Sequence, residues 1–442
     1  MIFNNLVTTF LKGTLLLSLI FLSACSKDKV WIPSWKQSSD MTVARAGAAY
    51  VAYEDYIYAI AGVDGKNFLK SIERAKVNAD GSLSSWQVIS ELPEPRGFIS
   101  ATVEDGRLYV VGGGNGPYGK NLLNSVVSAT LSKTGEIGVW RTELNTMLIP
   151  RRCAKIFVAK EGLYAVGGFG GTLLDTVEFS PFLDDGQLGK WQLNKETLKT
   201  PRYVNELKKI ENKVFAIGGH HATSGRGISS VEYLRINEPN AAWQETENLT
   251  NGRYAFASAS IGNNMYVMGG LSGAEYLDSI EYVNADELTK GEAWQPGIKL
   301  PEKMANFSAL TIGSRLYLFG GSTRHQYLNQ VWYADTNSQG KLGYWGKKED
   351  LVKIENNKKS INVSNLPNSG LVLERLETPD YVYMKVRGYD LKEIWLAAPK
   401  NKIPTKSKVR YSEGVYMSNF FSKSLKKEFD AVLFVGTIEQ EE

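Results

Sequence analysis

Along most of the chain, apolar residues come in short runs broken by polar, glycine-rich turns. Residues 99–104, 108–111 and 279–283 are examples, four to six residues long with strand-like alternation, and they predict β-strands rather than helices. The runs recur in register. Pairs of small residues fall at Ala61-Gly62, Gly112-Gly113, Gly167-Gly168, Gly218-Gly219, Gly269-Gly270 and Gly320-Gly321, and three residues before each stands an aromatic: Tyr58, Tyr109, Tyr164, Phe215, Tyr266 and Tyr317. Tryptophans keep the same period at Trp35, Trp86, Trp140, Trp191, Trp243, Trp294 and Trp345, 51 to 54 residues apart. A period of that length with a glycine pair predicts a ring of six four-stranded blades. The pair closes the second strand, and the aromatic and tryptophan fill the space between blades.

Composition narrows the class without naming a partner. Forty-two glycines against 14 prolines, with 11% aromatics, suit many short strands and an all-β chain. A formal charge of +4 over 442 residues is too small to indicate nucleic acid, and none is expected as a partner. The two cysteines, Cys25 and Cys153, cannot build a disulfide framework, a CxxC metal site or a covalent haem site, and no cofactor is expected.

An arginine leading into the first strand, then an aromatic, Gly-Gly and tryptophan, repeated over roughly residues 31–350, resembles the kelch family. The resemblance implies a six-bladed kelch-type β-propeller over residues 31–346. It implies no single activity, since kelch propellers include protein-binding modules, sugar mutarotases and copper oxidases. Seven tryptophan segments accompany six sets of the other strands, so Trp35 or Trp345 closes the last blade. Residues 337–345 (NSQGKLGYW) repeat the form of residues 78–86 (NADGSLSSW), which favours the C-terminal segment. Family habit favours the N-terminal strand, and that closure is expected.

The N-terminus reads as an address. One lysine, Lys12, precedes the apolar run 13–22 (GTLLLSLIFL), too short to span a membrane comfortably, and Leu22-Ser23-Ala24-Cys25 resembles a bacterial lipobox. Residues 1–24 are expected to be a lipoprotein signal peptide and Cys25 the lipidated residue, followed by a tether over 25–30. Ser26 after the cysteine points, by resemblance to sorting rules, to the outer membrane, facing the periplasm or the cell surface.

After Trp345 the period stops. Residues 347–364 form a charged linker, and residues 365–442 show five strand-like runs, at 371–376, 381–386, 393–397, 408–411 and 431–435, which suit a small barrel. The phrases 394–399, 417–425 and 429–435 resemble a small OB-like domain of exported bacterial proteins. Lysines and Arg410 between 400 and 427 form a basic stretch, read as a solvated face or as a contact for an acidic glycan, lipid head group or partner.

Candidate ligand contacts come from two sets. Arg45, Arg96, Arg151, Arg202 and Arg253 stand sixteen residues before their pairs, with Met304 in the sixth position. In kelch propellers the equivalent arginine lies near a channel mouth, where five guanidinium groups would hold an anion; the alternative is that each bonds loop carbonyls within its blade. The loops after the pairs carry Phe68, Tyr118, Phe169, His220, His221, Tyr276, His325 and Tyr327. From these, Tyr118, His220, His221 and Tyr327 join the arginines as the candidate funnel. The three histidines lack the spacing of a metal site, and Cys153 reads as a buried thiol. Glu73, Glu178, Glu232 and Glu281 recur at one strand-three position, and a structural role is expected of them. No catalytic residue is assigned. The expected function is an anchored binding or scaffold protein whose mouth takes a protein, peptide or acidic glycan; the alternative is a sugar mutarotase or epimerase of the sialic-acid type.

Overall fold

The computed structural model describes residues 29–442 except 160–161, 222–224, 237, 239–240, 348–349, 351–365, 367, 380, 389–392, 413 and 442. The signal peptide, Cys25 and most of the tether therefore lie outside the described residues. The contacts divide the chain into one unit over Val30–Trp345 and a second from Gly346 onward.

The first unit is a six-bladed propeller. In blade one, four antiparallel strands run in the order Ala49–Tyr53, Tyr56–Ile60, Ser71–Lys76 and Gln87–Glu91. The other blades repeat it: their first strands are Ser100–Glu104, Lys155–Ala159, Glu206–Ile210, Ala257–Ile261 and Ser308–Ile312, and each adjoins the next, the last meeting Ala49–Tyr53 to close the ring. Second strands such as Lys213–Ile217 are buried throughout because blades cover both of their faces. The fourth strands, short and polar, form the exposed perimeter; Gln192–Leu193 is an example.

Burial of apolar surface between blades supplies the cohesion. Trp35, Tyr266, Met304, Phe307 and Leu316 form one cluster across blades five and six, and Tyr50, Trp86, Tyr317 and Phe319 form another across six and one. A repeated hydrogen bond aligns the blades. The strand-two tyrosine of one blade donates to the glycine carbonyl in the turn that follows strand three of the next: Tyr58 to Gly135 O at 3.0 Å, Tyr109 to Gly186 O at 2.6 Å, Tyr266 to Gly340 O at 2.5 Å and, across the closure, Tyr317 to Gly81 O at 2.5 Å. Blade four has Phe215, without a hydroxyl, and the turn of blade five is replaced by the short helix Ala285–Leu288. The donor is missing where the neighbouring turn has changed.

Both ends of the repeat region contribute to blade six. Lys36–Gln37 pairs with Val331–Thr336 as the fourth strand, and the indole of Trp35 donates to Lys299 O at 3.0 Å. The indoles of Trp86 and Trp294 make the same kind of bond to Ser39 O and Glu247 O, so Trp35 holds the repeat position in the sixth blade. The C-terminal strand Leu342–Lys347 pairs only with the end of that third strand, at Asp335 and Thr336, and Lys29–Ile32 adds beyond it. Trp345 is left 58% exposed, edge-on to Trp31 at 5.4 Å.

The second unit is a seven-stranded mixed sheet compatible with a small barrel. Its strands include Asn368–Glu377, Tyr381–Arg387, Glu393–Pro399, Lys408–Tyr411 and Lys427–Val435, which contain the five runs expected from sequence. Two more, Gly414–Ser422 and Ile438–Gln440, raise the count from five to seven. Glu393–Pro399 and Lys427–Val435 run parallel, and the core holds Val372, Met384, Leu396 and Val409.

Candidate functional site

The five arginines do not line the mouth. All are 0% exposed, and each lies inside its own blade. Arg202 shows the pattern: Nη1 donates to Gly218 O at 2.8 Å and Ser230 O at 3.0 Å, while Nη2 donates to Ser230 Oγ at 3.0 Å and Glu232 Oε1 at 2.5 Å. Arg45, Arg151 and Arg253 make the same set with Glu73, Glu178 and Glu281. Burial lowers the pKa of Arg96, Arg151, Arg202 and Arg253, and a carboxylate beside each opposes that shift. Each guanidinium is turned into its own blade, where its Nη groups are bonded to carbonyls, a hydroxyl and a carboxylate, so none is presented to an anion on the axis.

Each glutamate also accepts two backbone N–H groups from the segment leading to its arginine. Glu232 accepts from Lys199 N at 2.6 Å and Thr200 N at 3.0 Å; Glu73, Glu178 and Glu281 do the same three and two residues before Arg45, Arg151 and Arg253. Blades two and six have Val127 and Trp332 at the glutamate position, and both have proline, Pro93 and Pro301, at the first donor position. Proline has no N–H to satisfy, so the acceptor is dispensable there. Blade two keeps its arginine by pairing Arg96 with Glu94 at 2.6 Å, and blade six replaces the arginine with Met304.

The mouth is built from the residue after each arginine position and the residue after each glycine pair, which meet as one isolated bridge per blade. In blades one, two and six these are Ala46 with Val63, Gly97 with Gly114, and Ala305 with Ser322. In blades three, four and five they are Arg152 with Phe169, Tyr203 with His220, and Tyr254 with Leu271. One half of the rim is small and the other bulky. A belt of ring contacts runs through the bulky half: Arg152 lies 6.0 Å from Phe98 and 5.2 Å from Phe169, Phe169 to Tyr203 is 5.8 Å, Tyr203 to His220 is 5.4 Å and His220 to Tyr254 is 4.8 Å. Phe68 extends it at 6.4 Å from Phe98.

The belt is held in shape by its own hydrogen bonds, Arg152 to Gly119 O at 3.0 Å and Tyr254 to Gly273 O at 2.7 Å. Burial, with the neighbouring His221, holds His220 below its ordinary pKa, and burial pushes Tyr203 and Tyr254 upward. His220 is thus a neutral ring at neutral pH. Of the other sequence candidates, His221 follows His220 at the same loop, Tyr327 is 41% exposed and stands against Gly65, and the side chain of Tyr118 lies outside the described residues. Phe98, Arg152, Tyr203 and Tyr254 were not singled out by the sequence reading. The signal for the last three is the change from Ala46 and Gly97 to Arg152, Tyr203 and Tyr254 at one repeat position; Phe98 stands one position further on. Among the described residues no group of three or more metal-binding side chains occurs.

Beneath the rim the channel narrows. Gly47, Phe98, Cys153, Val204, Ala255 and Asn306 occupy one repeat position and all have left-handed backbone, with φ between 46° and 57°. Five are not glycine, a strain of about 1 kcal/mol or more each. Inter-blade hydrogen bonds offset it: Phe98 N donates to Gly47 O at 2.7 Å, Cys153 N to Phe98 O at 2.8 Å, Ala255 N to Val204 O at 2.8 Å, Asn306 N to Ala255 O at 2.7 Å and Gly47 N to Asn306 O at 2.9 Å. Only about 50 Å³ is open at this collar, and a chamber of 220 Å³ lies along the first strands.

The kelch motif is matched at residues 44–74, 252–287 and 303–335. Beta-scruin of Limulus polyphemus is 25% identical over 207 residues, 46% of this chain and 21% of that protein. Kelch-like protein 38 of Homo sapiens is 27% identical over 164 residues, 35% of this chain and 27% of that one. The chain thus spans about a fifth to a quarter of the length of these relatives. The solved structure of YjhT superposes with a TM-score of 0.58 at 15% identity, covering 70% of this chain and 99% of that one, a likeness of fold alone. The chain therefore carries kelch repeats in a six-bladed propeller, an architecture that generally serves as a protein-binding scaffold.

Proposed function

We propose that this kelch-repeat propeller is an extracytoplasmic binding or scaffold protein, held at a bacterial membrane by a lipid on Cys25, whose mouth grips a peptide segment of a protein partner. The observation that carries this reading is the lopsided rim. A belt of Phe98, Arg152, Phe169, Tyr203, His220 and Tyr254 faces small residues across the opening, which gives aromatic faces for an apolar group, a cation for a carboxylate and open space beside them. Aromatic residues and arginine are the types that dominate binding energy at protein interfaces. The anchor rests on the apolar run 13–22 and the Leu22-Ser23-Ala24-Cys25 box. The mutarotase alternative asks for an acid and a base beside a bound sugar, and the belt itself holds no carboxylate.

The test uses the full chain in detergent to select phage-displayed peptides. Selected peptides are expected to lose roughly tenfold or more in affinity for Tyr203→Ala and Arg152→Ala, with the urea midpoint of the propeller unchanged. Peptides indifferent to both changes would remove the mouth from the binding site. In cells, Cys25→Ser is expected to abolish palmitate labelling and membrane association; retention of both would refute the anchor.

A further inference from the structure

Below the collar, the chamber along the first strands carries three charged groups, Lys155, Glu206 and Lys208, for a local charge of +1. They come from two adjacent blades and stand on one side of the channel. Lys155 Nζ lies 2.7 Å from Glu206 Oε1, and Ser258 Oγ donates to Glu206 Oε2 at 3.0 Å, so both carboxylate oxygens are engaged. Lys208 makes no hydrogen bond to the described residues. Lys208 is half-buried, and burial lowers its pKa, with Glu206 opposing and Lys155 adding to the shift.

Two serines of the chamber already direct their protons to backbone, Ser100 in the blade beside Lys155 to Ala154 O at 2.7 Å and Ser308 across the channel to Ala48 O at 3.3 Å. The chamber therefore has cationic donors in excess of acceptors. Its 220 Å³ leaves room for one small polyatomic ion and a few waters, each water taking about 30 Å³. A cation would meet two ammonium groups against one carboxylate that is already bonded twice.

We propose that this chamber is a binding site for a small oxyanion, of the size of phosphate, sulfate or acetate, held by the Lys208 ammonium with help from Lys155. The site is separate from the rim, since the collar of left-handed residues lies between them. The anion would supply the acceptor that Lys208 lacks and restore the charge balance of the channel.

The test is thermal unfolding of the full chain with sodium phosphate, sulfate or acetate against sodium chloride at equal ionic strength. At least one oxyanion is expected to raise the propeller's melting temperature in proportion to the logarithm of its concentration. The rise should vanish in Lys208→Met and persist in Lys208→Arg, with Lys208→Met still folded in chloride. Independently of any variant, ¹³C-methylated wild-type protein should show one lysine resonance that moves with the same half-saturation concentration. No oxyanion-specific rise, a rise retained by Lys208→Met, or lysine resonances indifferent to all three anions would overturn the assignment.

Discussion

Replacing Glu232 by alanine tests the reading of the buried arginines most directly. The change leaves the Arg202 guanidinium, 0% exposed, with carbonyls and one hydroxyl but no counter-charge, and it deprives Lys199 N and Thr200 N of acceptors at 2.6 and 3.0 Å. Removing one partner of a buried ion pair costs about 3–5 kcal/mol. Each orphaned N–H can add about 1–3 kcal/mol, reduced here because these two amides are only partly buried and water reaches them. We therefore expect a loss of about 4 kcal/mol in propeller stability. The double variant Arg202→Met, Glu232→Ala removes the stranded charge as well, as blade six does with Met304, and should lose less than the two single changes added together, by about 2–3 kcal/mol. Lys199→Pro should be costly in the wild-type chain and nearly neutral beside Glu232→Val, since blades two and six combine proline with a missing glutamate. Urea titration of the full chain by tryptophan fluorescence measures all of these. A loss below about 1 kcal/mol for Glu232→Ala, or an additive double variant, would show that the carboxylate does not neutralise a buried charge.

Two further consequences concern the channel and the rim. Cys153 sits in the collar, and burial pushes its thiol up to about 11, so a thiol reagent at pH 8 should label it only after denaturation; rapid labelling of the folded protein would contradict the burial. For His220 the folded pKa lies below the ordinary value of about 6.5, so the unfolded chain binds the proton more readily. Its contribution to stability is complete above that value and declines as pH falls below it toward the folded pKa. Urea midpoints at pH 7.5 and 5.5 should therefore differ less in His220→Phe than in wild type, and equal differences would refute this.

The number of blades, their four-stranded form and the all-β class were legible from the sequence, because each repeat carries its own local signals. A glycine pair is needed where the chain turns through left-handed backbone beside its neighbour: a Cβ on Gly113 would lie 2.7 Å from Gly97 O. The aromatic and the tryptophan are needed to fill the gap between blades. The link between strand-three glutamate and proline was also present, at Pro93 with Val127 and Pro301 with Trp332, but its meaning requires knowing that the glutamate accepts that very N–H.

What only the tertiary structure decided lies between blades. Whether Trp35 or Trp345 holds the closing position depends on which segment reaches Lys299 O, 264 residues away from Trp35 and separated from it by the whole ring. The direction of the five arginines could not be read from their spacing, since a residue at a strand's beginning can turn into its blade or toward the axis with equal periodicity. The outcome was set by the acceptors waiting there, Gly218 O, Ser230 O and Glu232 for Arg202. The rim and the chamber arise in the same way. Phe98, Arg152, Tyr203 and Tyr254 belong to different repeats, and Lys155 to a different one from Glu206 and Lys208; they become neighbours only when the ring closes. A repeat specifies its own blade through local turns and packing; a site on the axis is a sum over blades, and its asymmetry comes from the positions where the repeats differ.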